Sequence, residues 1–280
     1  ALPAQAQTFP TQAVRILSPF SAGSGPDVAM RIVAEQMSAQ WKQPVLIDNR
    51  PGASGFIALG AARSAAPGGH ELVMADVGHL AINPSMFRSL PYSPREDFLP
   101  IGTLFRTSFF VTVSASSKIR SMKELVEAAA SHPGAVTYGS FAVGSIGHRG
   151  GVQLEAASGT RMTHVPFKEA GTLYSTIAGG DVSWGLGAPA GPAGALMKAQ
   201  KLRFLAVADD VRSPLMPELP TIQESGGPGG VSGRTWVALL APRGTPQPVV
   251  QAISRTLAGV LERPEVAEKF RTAGLLPWPG

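Results

Sequence analysis

Two short stretches of the chain carry residue types that can hold an anion. The first is Pro19-Phe20-Ser21-Ala22-Gly23-Ser24-Gly25-Pro26-Asp27. It joins an apolar run (Val14, Ile16, Leu17) to Val28, Ile32, Val33 and Met37, which recur at helical spacing. The second is Gly139-Ser140-Phe141-Ala142-Val143-Gly144-Ser145-Ile146-Gly147-His148, between Val136-Thr137-Tyr138 and a helical pattern that ends near Gly159. Each reads as strand, glycine-serine loop, helix. A glycine-rich turn entering a helix leaves backbone N–H groups aimed outward, which makes an anion site. Pro26 suits the first turn, where its missing N–H has no intrahelical partner. Two such helix ends facing each other across a cleft make a clamp.

Other chemistries fit these stretches less well. Gly23-Ser24-Gly25 begins a dinucleotide fingerprint, and Asp48 stands roughly where its acidic residue belongs, but Val28 replaces the third glycine. No Gly-Lys-Ser/Thr occurs, which excludes a P-loop. Val143-Gly144-Ser145-Ile146-Gly147 is one glycine short of a nucleophile elbow, with His148 close by. A hydrolase using Ser145 would also need a base and an orienting acid, and no Asp falls at an obvious rim position there. Asp27 is either a helix-end charge that organises its loop or a ligand-orienting group. His79 and His148 lie in rim loops, as carboxylate donors or as solvated histidines, whereas His70, His132 and His164 read as structural. No histidine pair has metal spacing, so neither a metal nor a cofactor is expected. Phe20 and Phe167 are either ligand walls or core.

The elements that must position these loops follow an α/β order. Residues 45–47 and 71–75 read as further strands and 57–66 as a helix, a βαβαβ order that implies a parallel sheet. Its loops then share one rim, bringing Asp76, Gly78 and His79 beside residues 21–25. Residues 101–113 read as one long strand, and Ser121 with Glu124 as a capping box. Strands follow at 162–167, 182–187, 202–208 and 236–241, with a helix at 172–178 and two more at 248–261 and 264–273. The division expected is 8–102 with 232–280 in one lobe and 103–231 in the other, joined by two crossings as in a hinged binding protein.

Composition narrows the class. The 280 residues are 44% apolar and 15% charged, enough for a sizeable core and unlike a disordered chain. No apolar run reaches the 18 or so residues that span a bilayer. The net charge of +5 is scattered, so nucleic-acid binding is not expected, while a mild positive field favours small anions. The absence of cysteine removes disulfides and thiol nucleophiles. Ala4-Gln5-Ala6 matches a signal-peptide cleavage site, so residues 1–7 read as the remnant of an export signal.

Taken in order, several segments resemble the Bug-type extracytoplasmic solute receptors of tripartite tricarboxylate transporters. They are the first loop; Asn49-Arg50-Pro51-Gly52-Ala53; Ala81-Ile82-Asn83-Pro84-Ser85-Met86; Tyr138-Gly139-Ser140 with Gly144-Ser145 and His148; and His164-Val165-Pro166-Phe167-Lys168. The resemblance implies a two-lobe, type II periplasmic-binding-protein fold, each lobe a mostly parallel sheet flanked by helices, with the ligand cleft between lobes. It also implies a non-enzymatic periplasmic receptor, monomeric, that passes a small carboxylate to a membrane permease, or docks a signalling membrane partner. The resemblance places carboxylate contacts at residues 21–25, Asp27, Gly144, Ser145 and His148; with the rim positions read above, the site expected comprises Phe20, Ser21, Ala22, Gly23, Ser24, Gly25, Asp27, Gly78, His79, Ser140, Gly144, Ser145, His148, Phe167 and Ala188. Many relatives carry an Asp near residues 185–189, where this chain reads Gly-Leu-Gly-Ala-Pro. A buried ammonium wants a carboxylate partner, so dicarboxylates and aromatic carboxylates are favoured over amino acids.

Overall fold

The computed structural model describes residues 9–141 and 143–279; the proposed signal remnant lies outside the described residues. β1 (Val14–Ser18) leads into α1 (Gly25–Trp41), β2 (Val45–Asn49), a single 3-10 turn, α2 (Phe56–Arg63) and β3 (Glu71–Asp76). β2 and β3 both pair with β1 in parallel, so the loops leaving β1 and β3 open on one rim. After β3 the chain coils through a π-helical turn (Gly78–Ile82) into α3 (Asn83–Met86), so His79 stands in helical backbone rather than in an open loop.

The stretch read as one strand is two. β4 (Phe98–Ser108) belongs to the first sheet and β5 (Phe110–Ser114) to the second, with the change at Phe109. The boundary expected at 102/103 therefore falls inside β4. Aromatic and β-branched residues recur in both strands and Phe109 joins them without a turn residue, so composition alone does not show the break. The second lobe adds α4 (Met122–Ser131), β6 (Thr137–Ser140), α5 (Ile146–Ser158), β7 (Thr163–Pro166) and α6 (Ala170–Gly179). It is completed by β8 (Trp184–Gly187), α7 (Gly191–Lys198) and β9 (Leu202–Val207). The chain then returns through β10 (Arg234–Pro242), α8 (Gln247–Leu261), α9 (Pro264–Thr272) and β11 (Leu276–Pro277).

The sheets have strand orders β11-β4-β10-β3-β1-β2 and β7-β6-β8-β5-β9. In the first, β1 to β4 point one way and β10 and β11 the other; in the second, only β5 opposes its neighbours. Both faces of the first sheet are buried. Val14, Ile16, Leu72 and Met74 face Met30, Val33 and Met37 of α1 and Ile253 and Leu257 of α8. Leu17, Val73 and Ala75 turn instead to Leu59 and Ala62 of α2. This alternation within apolar strands is that of a sheet covered by helices on both sides. The second lobe packs Val111, Val113, Tyr138 and Trp184 against Leu125 of α4 and Leu154 of α5.

The two crossings lie side by side. Phe109 N–H donates to the Gly233 carbonyl at 3.0 Å, Gly233 N–H to the Ala208 carbonyl at 2.7 Å, and Ala208 N–H to the Phe109 carbonyl at 2.8 Å. The lobes also touch across the cleft mouth, where Ser54 Oγ donates to the Val143 carbonyl at 3.4 Å. Among the described residues no helix is long and apolar enough to cross a membrane.

Candidate functional site

The first loop is fastened by Asp27. Gly23 takes φ 75°, and Ser24, extended at φ −70° and ψ 163°, is the N-cap of α1. Asp27 Oδ2 accepts from Gly23 N–H at 2.8 Å and from Arg31 Nε at 2.9 Å, while Oδ1 accepts from Asn49 Nδ2 at 2.8 Å. Burial opposes ionisation of this carboxyl, yet the bonds from Arg31, Asn49 and Gly23 outweigh it and hold Asp27 below the usual carboxylate range. Asp27 thus points back into its own loop and organises it. Ser24 Oγ, in contrast, is buried with no partner among the described residues.

The second loop repeats the backbone. Gly144 takes φ 86°, and Ser145, at φ −64° and ψ 164°, caps α5 by accepting His148 N–H at 3.4 Å. Gly144 N–H donates to His148 Nδ1 at 3.1 Å. The His148 ring lies 4.3 Å from that of His164, whose Nε2 is hydrogen-bonded to Ser140 Oγ at 2.7 Å. Burial, and then a charge on His148, pushes His164 down to about 4; burial lowers His148 as well, against the pull of Glu155. His148 is therefore a fastening for Gly144, and its Nδ1 is engaged by a backbone N–H rather than by the Ser145 hydroxyl a nucleophile–base pair requires.

Between the loops lies a cleft of about 240 Å³. Of the residues read from sequence, Phe20, Ser21, Ser24, Gly25, Gly78, His79, Gly144, Ser145, Phe167 and Ala188 line it together. Ala22 and Gly23 are exposed and outside this lining, Asp27 and His148 are turned into their loops, and Ser140 is buried at the end of β6. His79 Nδ1 lies 2.6 Å from Asp76 Oδ1, and His79 N–H donates to the same oxygen at 3.0 Å. Burial disfavours the Asp76 anion, but His79 and the Gly78 N–H more than compensate and hold its pKa low. Lys168 adds an ammonium at the second-lobe wall.

Sequence reasoning missed the wall built by the long strands. Phe105 and Thr107 on β4, Phe109 at the crossing, and Thr235 and Val237 on β10 all line the cleft, as do Asn83, Phe141 and Tyr174. Their place depends on β4 pairing with β10, a contact between residues far apart in the chain. Only Asn83 and Phe141 belong to segments whose motifs point to the site.

A protein-family profile described as tripartite tricarboxylate transporter family receptor matches residues 29–280. Among solved structures, Rpa4515 of R. palustris with adipate superposes with a TM-score of 0.91 at 31% identity, covering 97% of this chain and 90% of that one. MatC of Rhodopseudomonas palustris with bound malate gives 0.88 at 26%, covering 96% and 90%. The periplasmic binding protein BugD gives 0.88 at 26%, covering 96% and 89%. The two-lobe α/β fold is thus that of the periplasmic binding proteins of this type. With that profile match across most of its length, the chain belongs to the tripartite tricarboxylate transporter receptor family, as a solute-binding receptor and not an enzyme.

Proposed function

We propose that this protein is a periplasmic receptor that captures a small organic carboxylate between its lobes and hands it to a membrane transporter. One observation carries the reading: two helices present the same glycine-serine N-terminus to one cleft from opposite lobes. Each first turn holds backbone N–H groups that have no intrahelical acceptor, and each helix dipole favours negative charge there. The donors this reading assigns are Gly25 N–H on one side and Ile146 and Gly147 N–H on the other. Two carboxylate-bound relatives, with adipate and with malate, support the ligand class.

An amino acid suits the cleft less well. Residues 185–189 bring no carboxylate, and Asp76 is already engaged by His79. A buried ammonium would then lack a partner. We assign the hinge to the paired crossings at Phe109 and Gly233, with the monomer as the working unit. The closed lobes would be the form a permease accepts.

The test is a thermal-shift panel of aliphatic mono-, di- and tricarboxylates, aromatic carboxylates and acidic amino acids. A ligand at a hundred times its Kd stabilises the fold by about 2.7 kcal/mol, a readable shift. Stabilisation by carboxylates is the expected result; no shift from any of them overturns the reading.

A further inference from the structure

We infer that the cleft contains a second, uncharged subsite at the β4–β10 crossing, and that it receives a hydroxyl on an aromatic carboxylate ligand. The inference rests on the carboxylate reading of the cleft and narrows it. Thr235 is 8% exposed, lines the cleft, and its Oγ1 is buried with no hydrogen-bond partner among the described residues. Oγ1 is closed to solvent, so the side chain meets the cleft through its other atoms and a turn about χ1 brings the hydroxyl to it; a buried hydroxyl left unpaired is costly, and a partner that the ligand brings favours that turn. Thr107 stands directly across from it in the β4–β10 ladder, is equally buried and lines the same cleft. Among the described residues its own hydroxyl makes one long bond, donating to the Ser108 carbonyl at 3.4 Å.

The position of this pair sets the shape of the ligand. The sheet order puts β3 between β1, which carries the Ser24 loop, and β10, which carries Thr235. Two strand spacings are about 10 Å, the reach of one ring with a polar group at each end. Between those ends the walls are Phe20 and Phe105 on one lobe and Phe141, Phe167 and Tyr174 on the other. Aromatic walls of this kind favour a flat aromatic body over a flexible polar one.

Charge decides what the far end accepts. Asp76 pairs in register with Val237, two residues from Thr235 on the same strand, and lines the cleft. That carboxylate is engaged by His79 and brings no positive charge to a second anionic group there. A hydroxyl carries no charge, can donate and accept at once, and so satisfies Thr235 without desolvating an ion.

The experiment is calorimetric titration of benzoate, 3- and 4-hydroxybenzoate and adipate into the wild type, Thr235→Val and Thr235→Ser. Valine keeps the β-branched shape, and thermal melts of each variant verify the fold. The wild type should bind the better hydroxybenzoate about ten- to a hundredfold tighter than benzoate. Thr235→Val should erase that preference, and Thr235→Ser should keep it. Binding of carboxylates with no gain from the hydroxyl, or a gain that survives Thr235→Val, overturns this inference and leaves the carboxylate reading standing. No binding by adipate or either aromatic class overturns this inference, and silence across the whole carboxylate panel overturns the carboxylate reading as well.

Discussion

Gly23 and Gly144 both turn through left-handed backbone, both precede an extended serine that caps a helix, and both give their N–H to the side chain four residues on. That side chain is Asp27 in the first loop and His148 in the second. Asp27 is ionised and tied to Arg31 and Asn49, whereas His148 leans on a second imidazole that burial keeps neutral. The serines differ as well: Ser145 commits its hydroxyl to its own helix, and Ser24 leaves its hydroxyl unpaired at the cleft. The same donor geometry is therefore fastened once by charge and once by neutral hydrogen bonds, and the serine of the charged loop takes no part in capping its helix through its side chain.

The largest effect expected from this contrast is at the fastenings. Asp27→Ala leaves Gly23 N–H and Asn49 without their acceptor and should cost about 3 kcal/mol in chemical denaturation. His148→Ala removes one neutral acceptor and should cost about 1 kcal/mol. Equal costs would break the distinction between the two loops.

Next in size is the pH response. His164 and His148 titrate below the unfolded value of 6.5, His164 at about 4, so the unfolded chain binds protons that the native one refuses. Stability should be flat above pH 6.5 and fall as pH drops from 6.5 towards 4, by on the order of 2 kcal/mol. His164→Gln should flatten that limb. Asp27, lowered from 3.8, contributes above that pH and loses its contribution only as pH falls through its folded value. Melts across pH 3 to 8 read both responses, and a wild-type profile unchanged by His164→Gln would contradict the assignment.

The smallest effect separates the serines. Ser145→Ala removes a helix cap and should cost about 1 kcal/mol, while Ser24→Ala should leave stability within a few tenths and weaken carboxylate binding instead. Paired melts and titrations of the two variants show whether the hydroxyls divide their roles this way.

What the sequence disclosed was local. The two loops were legible because glycine, capping serine and the fastening residue lie within five positions of each other. The capping box behaved likewise: Ser121 Oγ accepts Glu124 N–H at 3.2 Å, and Glu124 reaches back to Arg120 N–H at 2.6 Å. The direction in which His148 points was not legible, since a ring at that spacing fits the cleft wall and the loop equally well. α7 escaped because Gly191-Pro192-Ala193-Gly194 carries no helical stripe; it packs through small residues, with Gly194 close against the Pro189 carbonyl. Thr107 and Thr235 were invisible as a pair, because only the β4–β10 ladder brings them together across 128 positions (235 minus 107).

The most direct test of the clamp is a calorimetric comparison of a carboxylate with its own carboxamide, using adipate with adipamide and benzoate with benzamide. The amide keeps shape and apolar area but loses the charge that two helix N-termini favour. Capture by those termini predicts carboxylate binding at least about tenfold tighter than amide binding, since charged hydrogen bonds are roughly twice as strong as neutral ones. Equal affinity within either pair would mean that the cleft recognises shape alone, and would contradict capture by the helix termini.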